Sequence, residues 1–239
     1  MGGETEVKGK KGLSLGRERK FEIKRKNRKK IEKSEVNRVA KEDKGFIRVH
    51  PSAVIGKNAS IGRGTVVWAF AQVGEKAAVG KNCVLGNGCY IDRTCQVGDN
   101  VKVMNKALVY RGCGIGDNVF VGPGAVIAND KTPRVEKTRE FDGVEWSIGE
   151  HATIGANATV LPDVNIGRNA TVGAGSVVTA HVPDHGLAYG NPAKLHGFVC
   201  ECGEKALLEK EGKETCLMKC SKCGKSFSVK SEDYKRIEK

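Results

Sequence analysis

Residues 73–97 read VGEKAAVGKNCVLGNGCYIDRTCQV, and an aliphatic residue returns at every sixth position: Val73, Val79, Leu85, Ile91 and Val97. The same step runs backward through Val67, Ile61 and Ile55 to Val49, and forward through Val103, Val109, Ile115 and Val121 to Ile127. After a gap it resumes at Ile148, Ile154, Val160, Ile166, Val172 and Val178. All twenty anchors are Val, Ile or Leu, and nineteen are β-branched. Side chains six apart rotate to different faces of an α-helix, so the pattern excludes one. It predicts an all-β fold, a parallel β-helix in which each hexad forms one side of a three-sided coil.

The residue four after an anchor is small, as at Ala71, Ala77, Cys83, Cys89, Cys95 and Cys113. It lies two before the next anchor, so the pleat points both inward. Residues 49–183 then make about six coils of 18 residues, each packing on its neighbours. Gly follows twelve anchors, and Asn, Gly or Asp is common three places after one. Such residues tolerate the left-handed backbone that a tight corner needs. The four cysteines in the small position read as core filling. Cys95 and Cys113 fall one coil apart, within expected reach of a disulfide that a reducing compartment argues against.

The 239 residues hold nine cysteines and 5% aromatics, the latter in keeping with a prism too thin for many rings. No run of 18 apolar residues occurs and the start is charged, which argues against membrane insertion and export and for a cytoplasmic protein. The net charge of +13 is uneven. Residues 1–45 hold 16 Lys and Arg against 8 Asp and Glu, whereas 46–196 hold 15 against 12 and 197–239 hold 10 against 8. The chain thus divides into a basic N-terminal extension (1–45), a β-helix (46–196) and a cysteine-bearing tail (197–239). The run Lys24-Arg25-Lys26-Asn27-Arg28-Lys29-Lys30 sits in a mixed-charge stretch that reads as disordered or, over 21–41, helical.

Between Ile127 and Ile148 the chain uses 21 residues where six would do. This insertion, 128–147, is charged and carries Trp146; a loop that breaks an otherwise regular register is the expected place for function. Positions 18 apart stack, so Arg93, Arg111 and Asn129 form a column where the loop departs. Two arginines beside a loop bearing Lys131 and Arg134 suit an anion such as a phosphate. Among the histidines, His151, at a corner just after the loop, is the one placed to act as a base.

Several stretches together resemble the left-handed β-helix acyltransferases, and within them the nucleotide-linked amino-sugar N-acetyltransferases. They are the hexad body, the stretches 67–70 (VWAF), 101–110 (VKVMNKALVY) and 119–134 (VFVGPGAVIANDKTPR), and the ending 189–194 (YGNPAK). The resemblance covers residues 47–199. It implies a homotrimer with acetyl-CoA in the groove between adjacent prisms, an attacking sugar amine, and a role in polysaccharide or glycan precursor synthesis. It also implies roles for residues. Asn129 would orient the amine as the catalytic contact, while Asn105, Arg111 and Arg134 would meet the nucleotide-linked amino sugar. Gly173, Ala174, Gly175 and Lys194 would face acetyl-CoA. The chain departs from the family pattern where Ala69 and Gln72 replace histidines and where Met104-Asn105-Lys106 replaces Gln-Asn-Asn.

The tail contains Cys200-Glu201-Cys202-Gly203 and Cys220-Ser221-Lys222-Cys223-Gly224. Paired cysteines before glycine read as two knuckles of a zinc ribbon, with Cys200, Cys202, Cys220 and Cys223 as ligands and Cys216 as an alternative member. Zinc would let a tail with almost no core fold. Lys205, Lys219, Lys222 and Lys225 would offset its charge. Two other functions stay open: an acyltransferase with a different small-molecule acceptor, and a non-catalytic scaffold binding nucleic acid or protein through arm and ribbon. Nucleic acid is the less favoured partner, since the ribbon's net charge is small.

Overall fold

Most anchors and the residue before them form a two-residue strand, and the chain then turns a corner. Val84–Leu85, Tyr90–Ile91 and Gln96–Val97 are successive sides of one coil. A computed structural model describes residues 45–137 and 139–238; the basic extension and its expected helix lie outside the described residues. The sides stack into three parallel walls, here A, B and C, of a left-handed parallel β-helix. Partners lie 18 residues apart, as in Val66↔Val84 on wall A, Gln72↔Tyr90 on wall B and Ala78↔Gln96 on wall C. Across the insertion the step becomes 33, as in Phe120↔Thr153, and 18 returns at once with Thr153↔Thr171.

The interior is the expected column. Val67, Leu85, Val103 and Val121 are buried together with Ala71, Ala107 and the four prism cysteines. Each fully buried Val, Leu or Ile contributes about 1.5–3 kcal/mol. All nine cysteines are free thiols. Burial pushes the Cys89 and Cys95 thiols up to about 12 and raises Cys113 further. They are inert filling, and Cys95 and Cys113 form no disulfide.

The corners correct one part of the expectation. The residue three after the anchor is left-handed in nearly every coil, including Asn82, Asn100 and Asn118 but also Phe70, Lys76, Thr94 and His151. The glycines that follow anchors are not left-handed. They are needed because coils stack backbone on backbone: a Cβ on Gly86 would lie 2.6 Å from the Asn105 amide nitrogen. Space, not backbone freedom, selects them.

The two ends differ. At the first coil Val49, Val54 and Ile55 are exposed. At the other end the hexads stop at Val178, but the solenoid continues with the register shortened by two: Ile166 bridges Val182, and Val172 pairs with Ala188. The strand Gly186–Gly190 then turns into the antiparallel strand Ala193–Val199. That strand runs through positions 196 and 197, where body and tail were divided. Wall A extends through it into Lys205–Lys210, Thr215–Cys220 and Ser226–Lys230, closed by a short helix, Ser231–Tyr234. The tail is not coreless: Cys216, Met218 and Val229 bury with Phe198 against Leu195 from the end of the body. Gly45–Lys239 is one compact unit. Among the described residues no helix is long and apolar enough to cross a membrane.

Candidate active site and metal centre

The insertion leaves wall B after Val126–Ile127 and returns as Trp146–Ile148, two residues before its expected end. Trp146 pairs with Cys113 in register and so occupies a small inward position, where it is 2% exposed. Room for the indole comes from Gly112. Its φ is +91°, and a Cβ there would sit 2.5 Å from the Trp146 ring and 2.6 Å from Phe141. Over this floor the loop builds a stack. Phe141 lies 6.0 Å from Trp146, the Arg139 guanidinium 4.8 Å from Phe141 and 5.5 Å from Trp146, and Arg111 5.2 Å from Phe141. Cations over aromatic faces are attracted by the ring quadrupole, by about 0.5–2 kcal/mol each.

Carboxylates pair with two of the loop's cations. Arg139 donates to Glu145 at 2.6 Å and to Asp163 at 2.8 Å, and Lys131 pairs with Asp163 at 3.2 Å. The Arg139 bond is the main reason the Asp163 carboxyl lies below the usual range. Arg139 also donates to the backbone carbonyl of Asn129 at 3.1 Å, tying loop entrance to loop exit.

Arg111 and Asn129 share this corner as the 18-residue step predicts. Arg111 Nη2 donates to the Arg139 carbonyl at 3.4 Å, while its buried Nε has no partner among the described residues. With Arg93, Lys76 and Phe141 it lines an open cleft. Arg134 is exposed on the loop, its Nη1 donating to the neighbouring Pro133 carbonyl. The sequence reading missed Arg139, Phe141, Glu145 and Asp163. Asp163, three places after the anchor Val160, is a corner residue with a left-handed φ of 62°.

Asn105, Gly173, Ala174 and Gly175 occupy a different corner, between walls A and B. Asn105 lies between strands Lys102–Val103 and Leu108–Val109, and the glycines lie between Thr171–Val172 and Val177–Val178. The Asn105 side-chain carbonyl accepts from the Asn87 amide at 3.0 Å. Ala174 and Gly175 are exposed. Lys194 follows on Ala193–Val199, lining a pocket at the closed end with Thr179, His181 and Arg236. His151 occupies the third corner, between walls C and A, 3.4 Å from Asn118 and away from the loop's corner. In one chain the loop's corner and the Asn105 column are separated by wall B.

Residues 58–93, 94–129 and 147–180 match the family Bacterial transferase hexapeptide (six repeats). The solenoid is thus a domain similar to the bacterial transferase hexapeptide family. The domain is 48% identical over 54 residues to dTDP-3-amino-3,6-dideoxy-alpha-D-galactopyranose 3-N-acetyltransferase of Aneurinibacillus thermoaerophilus, covering 23% of this chain and 28% of that one. It is 41% identical over 63 residues to serine acetyltransferase 4 of Arabidopsis thaliana, covering 26% and 18%. The chain thus spans well under half the length of these curated relatives. Among solved structures it is similar to PerB from Caulobacter crescentus, crystallised with CoA and GDP-perosamine, with 27% identity, 69% of this chain and 64% of that one covered, and TM-score 0.44. The acetyltransferase domain of PglB from Neisseria gonorrhoeae, in complex with acetyl coenzyme A, shows 28% identity, 71% and 66% coverage, and TM-score 0.42.

Beyond the hexapeptide domain the ribbon gathers four thiols. The sulfurs of Cys200, Cys202, Cys220 and Cys223 all lie within 4.8 Å of one another, with Cys200–Cys223 at 3.6 Å and Cys202–Cys220 at 3.5 Å. A tetrahedral zinc with Zn–S bonds of about 2.3 Å sets its sulfurs about 3.8 Å apart, so this donor set fits the ion. The amides of Cys223 and Lys222 point at Cys220 Sγ and lower that thiol to about 6, favouring the thiolate a metal needs. Cys216 stands apart, buried in the ribbon core with its sulfur 3.5 Å from Ser231 Oγ. Lys219, Lys222 and Lys225 pair with Glu209, Glu204 and Glu201, and besides these carboxylates the nearby thiols raise the pKa of Lys222 and Lys225.

Proposed function

We propose that the chain transfers the acetyl group of acetyl-CoA to the amino group of a nucleotide-linked amino sugar, in the cytoplasm, as a homotrimer with a structural zinc in its ribbon. The observation that carries this reading is the 48% identity over 54 residues with an N-acetyltransferase of a dTDP-linked amino sugar. In the reaction the amine lone pair attacks the thioester carbonyl, the C–S bond breaks, CoA leaves as thiolate and the new amide loses a proton. Asn129 orients the amine and Asn105 contacts the sugar through its amide group. Arg111 and Arg134 face the nucleotide phosphates. The backbone of Gly173, Ala174 and Gly175 and the Lys194 ammonium hold acetyl-CoA.

These residues stand on two corners with wall B between them, so one chain does not assemble the site. A second copy that sets its Asn105 column against its neighbour's loop does, and a threefold ring closes the arrangement with each of these two corners used once per chain. The loop itself carries no histidine. The rate then rests on positioning of amine and thioester, which contributes several kcal/mol without a dedicated base.

The test is acetyl-CoA-dependent acylation of a dTDP-linked 3-amino sugar by the zinc-loaded protein, followed by mass spectrometry. Acetylated sugar that falls at least tenfold in Asn129→Ala, with the fold intact, supports the reading. The likeness to a serine acetyltransferase favours a second acceptor class, so L-serine is the parallel substrate. Turnover of serine alone replaces the amino sugar. Absence of acetyl-CoA binding removes the transferase reading and leaves the scaffold.

A further inference from the structure

The ribbon reaches back to the closed end of the prism. Glu238 donates its amide to the Leu195 carbonyl at 2.8 Å, and Arg236 Nη2 donates to the His181 carbonyl at 2.8 Å. Arg236 Nη1 is held by Asp233 at 2.8 Å, so the guanidinium is fixed from both sides. This places it on the rim of a pocket of about 290 Å³ beneath the last coil, together with Lys194 and His181. The body of the pocket is apolar, formed by Val178, Ala180, Pro183 and Leu195 among others. His181 Nδ1 accepts from the Asn165 amide at 2.9 Å, which puts the ring proton on Nε2 and makes that nitrogen a donor. An apolar slot, two cations and a neutral donor suit a flat heterocycle carrying a phosphate. The volume is small for a whole nucleotide cofactor and adequate for one ring system with its phosphate.

We propose that Arg236 is a ligand-binding residue: the C-terminal ribbon completes, with Lys194, a pocket for the adenosine 3′-phosphate end of acetyl-CoA. The proposal rests on the acetyl-CoA reading above and adds to it a contact supplied from outside the hexapeptide repeats. The ribbon thereby acquires a part in substrate binding besides its own folding. Lys194 alone offers one mobile charge, whereas the anchored guanidinium adds a planar donor that is already ordered, so little entropy is lost on binding.

The experiment measures Kd of CoA, dephospho-CoA and adenosine 3′,5′-bisphosphate by calorimetry on the full zinc-loaded chain. The variants are Arg236→Gln and Arg236→Lys, each checked for zinc content and melting temperature. Wild type should prefer CoA over dephospho-CoA by about tenfold, Arg236→Gln should lose most of that preference, and Arg236→Lys should keep part of it. Loss of a docking contact alone would weaken both ligands equally, which would overturn the proposal. So would a wild type indifferent to the 3′-phosphate, a result that stands even where Arg236→Gln fails to fold. Tighter binding of dTDP than of adenosine bisphosphate would overturn it too, by giving the pocket to the other substrate. Acetyl transfer without phosphate preference would leave the function in place and remove the pocket. Phosphate preference without transfer would do the reverse.

Discussion

Cys113 in the prism and Cys220 in the ribbon are both buried, yet their surroundings drive the same side chain in opposite directions. Around Cys113 the neighbours are aliphatic, and desolvation raises the thiol far out of the physiological range. Around Cys220 two backbone amides and a second thiol converge, and the acid form is lost near pH 6. The prism repeats one small apolar rung until the column is tall enough to be stable. The ribbon has little repetition and a small core, and gathers four sulfurs within 4.8 Å of one another. Cysteine counts alone therefore say little; the spacing, six in one region and C-x-C with C-x₂-C in the other, separates the two uses.

Removing zinc should give the largest effect. A chelator, or Cys220→Ser, is expected to take bound zinc from one per chain to none and to open 200–238 to proteases, while 48–178 stays protected. A structural zinc is worth about 10–16 kcal/mol of apparent binding, so the ribbon should not survive its loss. Cys216→Ser is the contrast and should leave zinc content unchanged. Were it to halve the zinc, the assignment of ligands would have to change.

Next in size is the loop floor. Gly112→Val meets two rings and a left-handed φ and should cost about 2–4 kcal/mol in urea unfolding. Gly143→Val, also at positive φ but with nothing within 4 Å of its Cβ, should cost about 1–2 kcal/mol. Equal costs would mean that the Trp146–Phe141 stack is not what holds the loop.

Thiol labelling sharpens the comparison further. In zinc-free protein at pH 7, whose ribbon has opened, iodoacetamide should modify the tail thiols, Cys220 among them, and leave Cys83, Cys89, Cys95 and Cys113 untouched until the prism unfolds. Prompt modification of any of the four by mass spectrometry would break it.

The smallest effect concerns the loop's carboxylate. Arg139 depresses the Asp163 carboxyl, so the pairing contributes fully above the ordinary carboxylate range and is lost as pH falls through the folded value. Trp146 fluorescence should shift below about pH 4 and be flat from pH 5 to 8. Asp163→Asn should abolish the acid transition.

The same contrast marks how far the sequence could be read. Anchors, inward cysteines and the loop's departure at Ile127 were legible because each follows from a period of six. The shift at Val182 escaped it because two missing residues carry no signal of their own. Arg139 meets Asp163, and Phe141 meets Arg111, only because the path of the loop brings them together. The candidate site was legible in parts: the column of Arg111 and Asn129 came from register, whereas its separation from Asn105 by a whole wall became visible only in three dimensions.

By itself the sequence determined the prism, since a local rule repeated twenty times leaves the backbone one way to bury its column. It also determined the four ribbon thiols, whose spacing suits one ion. The tertiary structure decided what repetition cannot encode. It packed Trp146 into a slot meant for alanine or cysteine, used the glycines that follow anchors for clearance rather than for turning, and buried Cys216 apart from the four clustered thiols. It also carried Arg236 back beside Lys194, 42 residues earlier in the chain. Those outcomes depend on contacts between segments far apart in sequence, where volume and charge are matched only after the chain has folded.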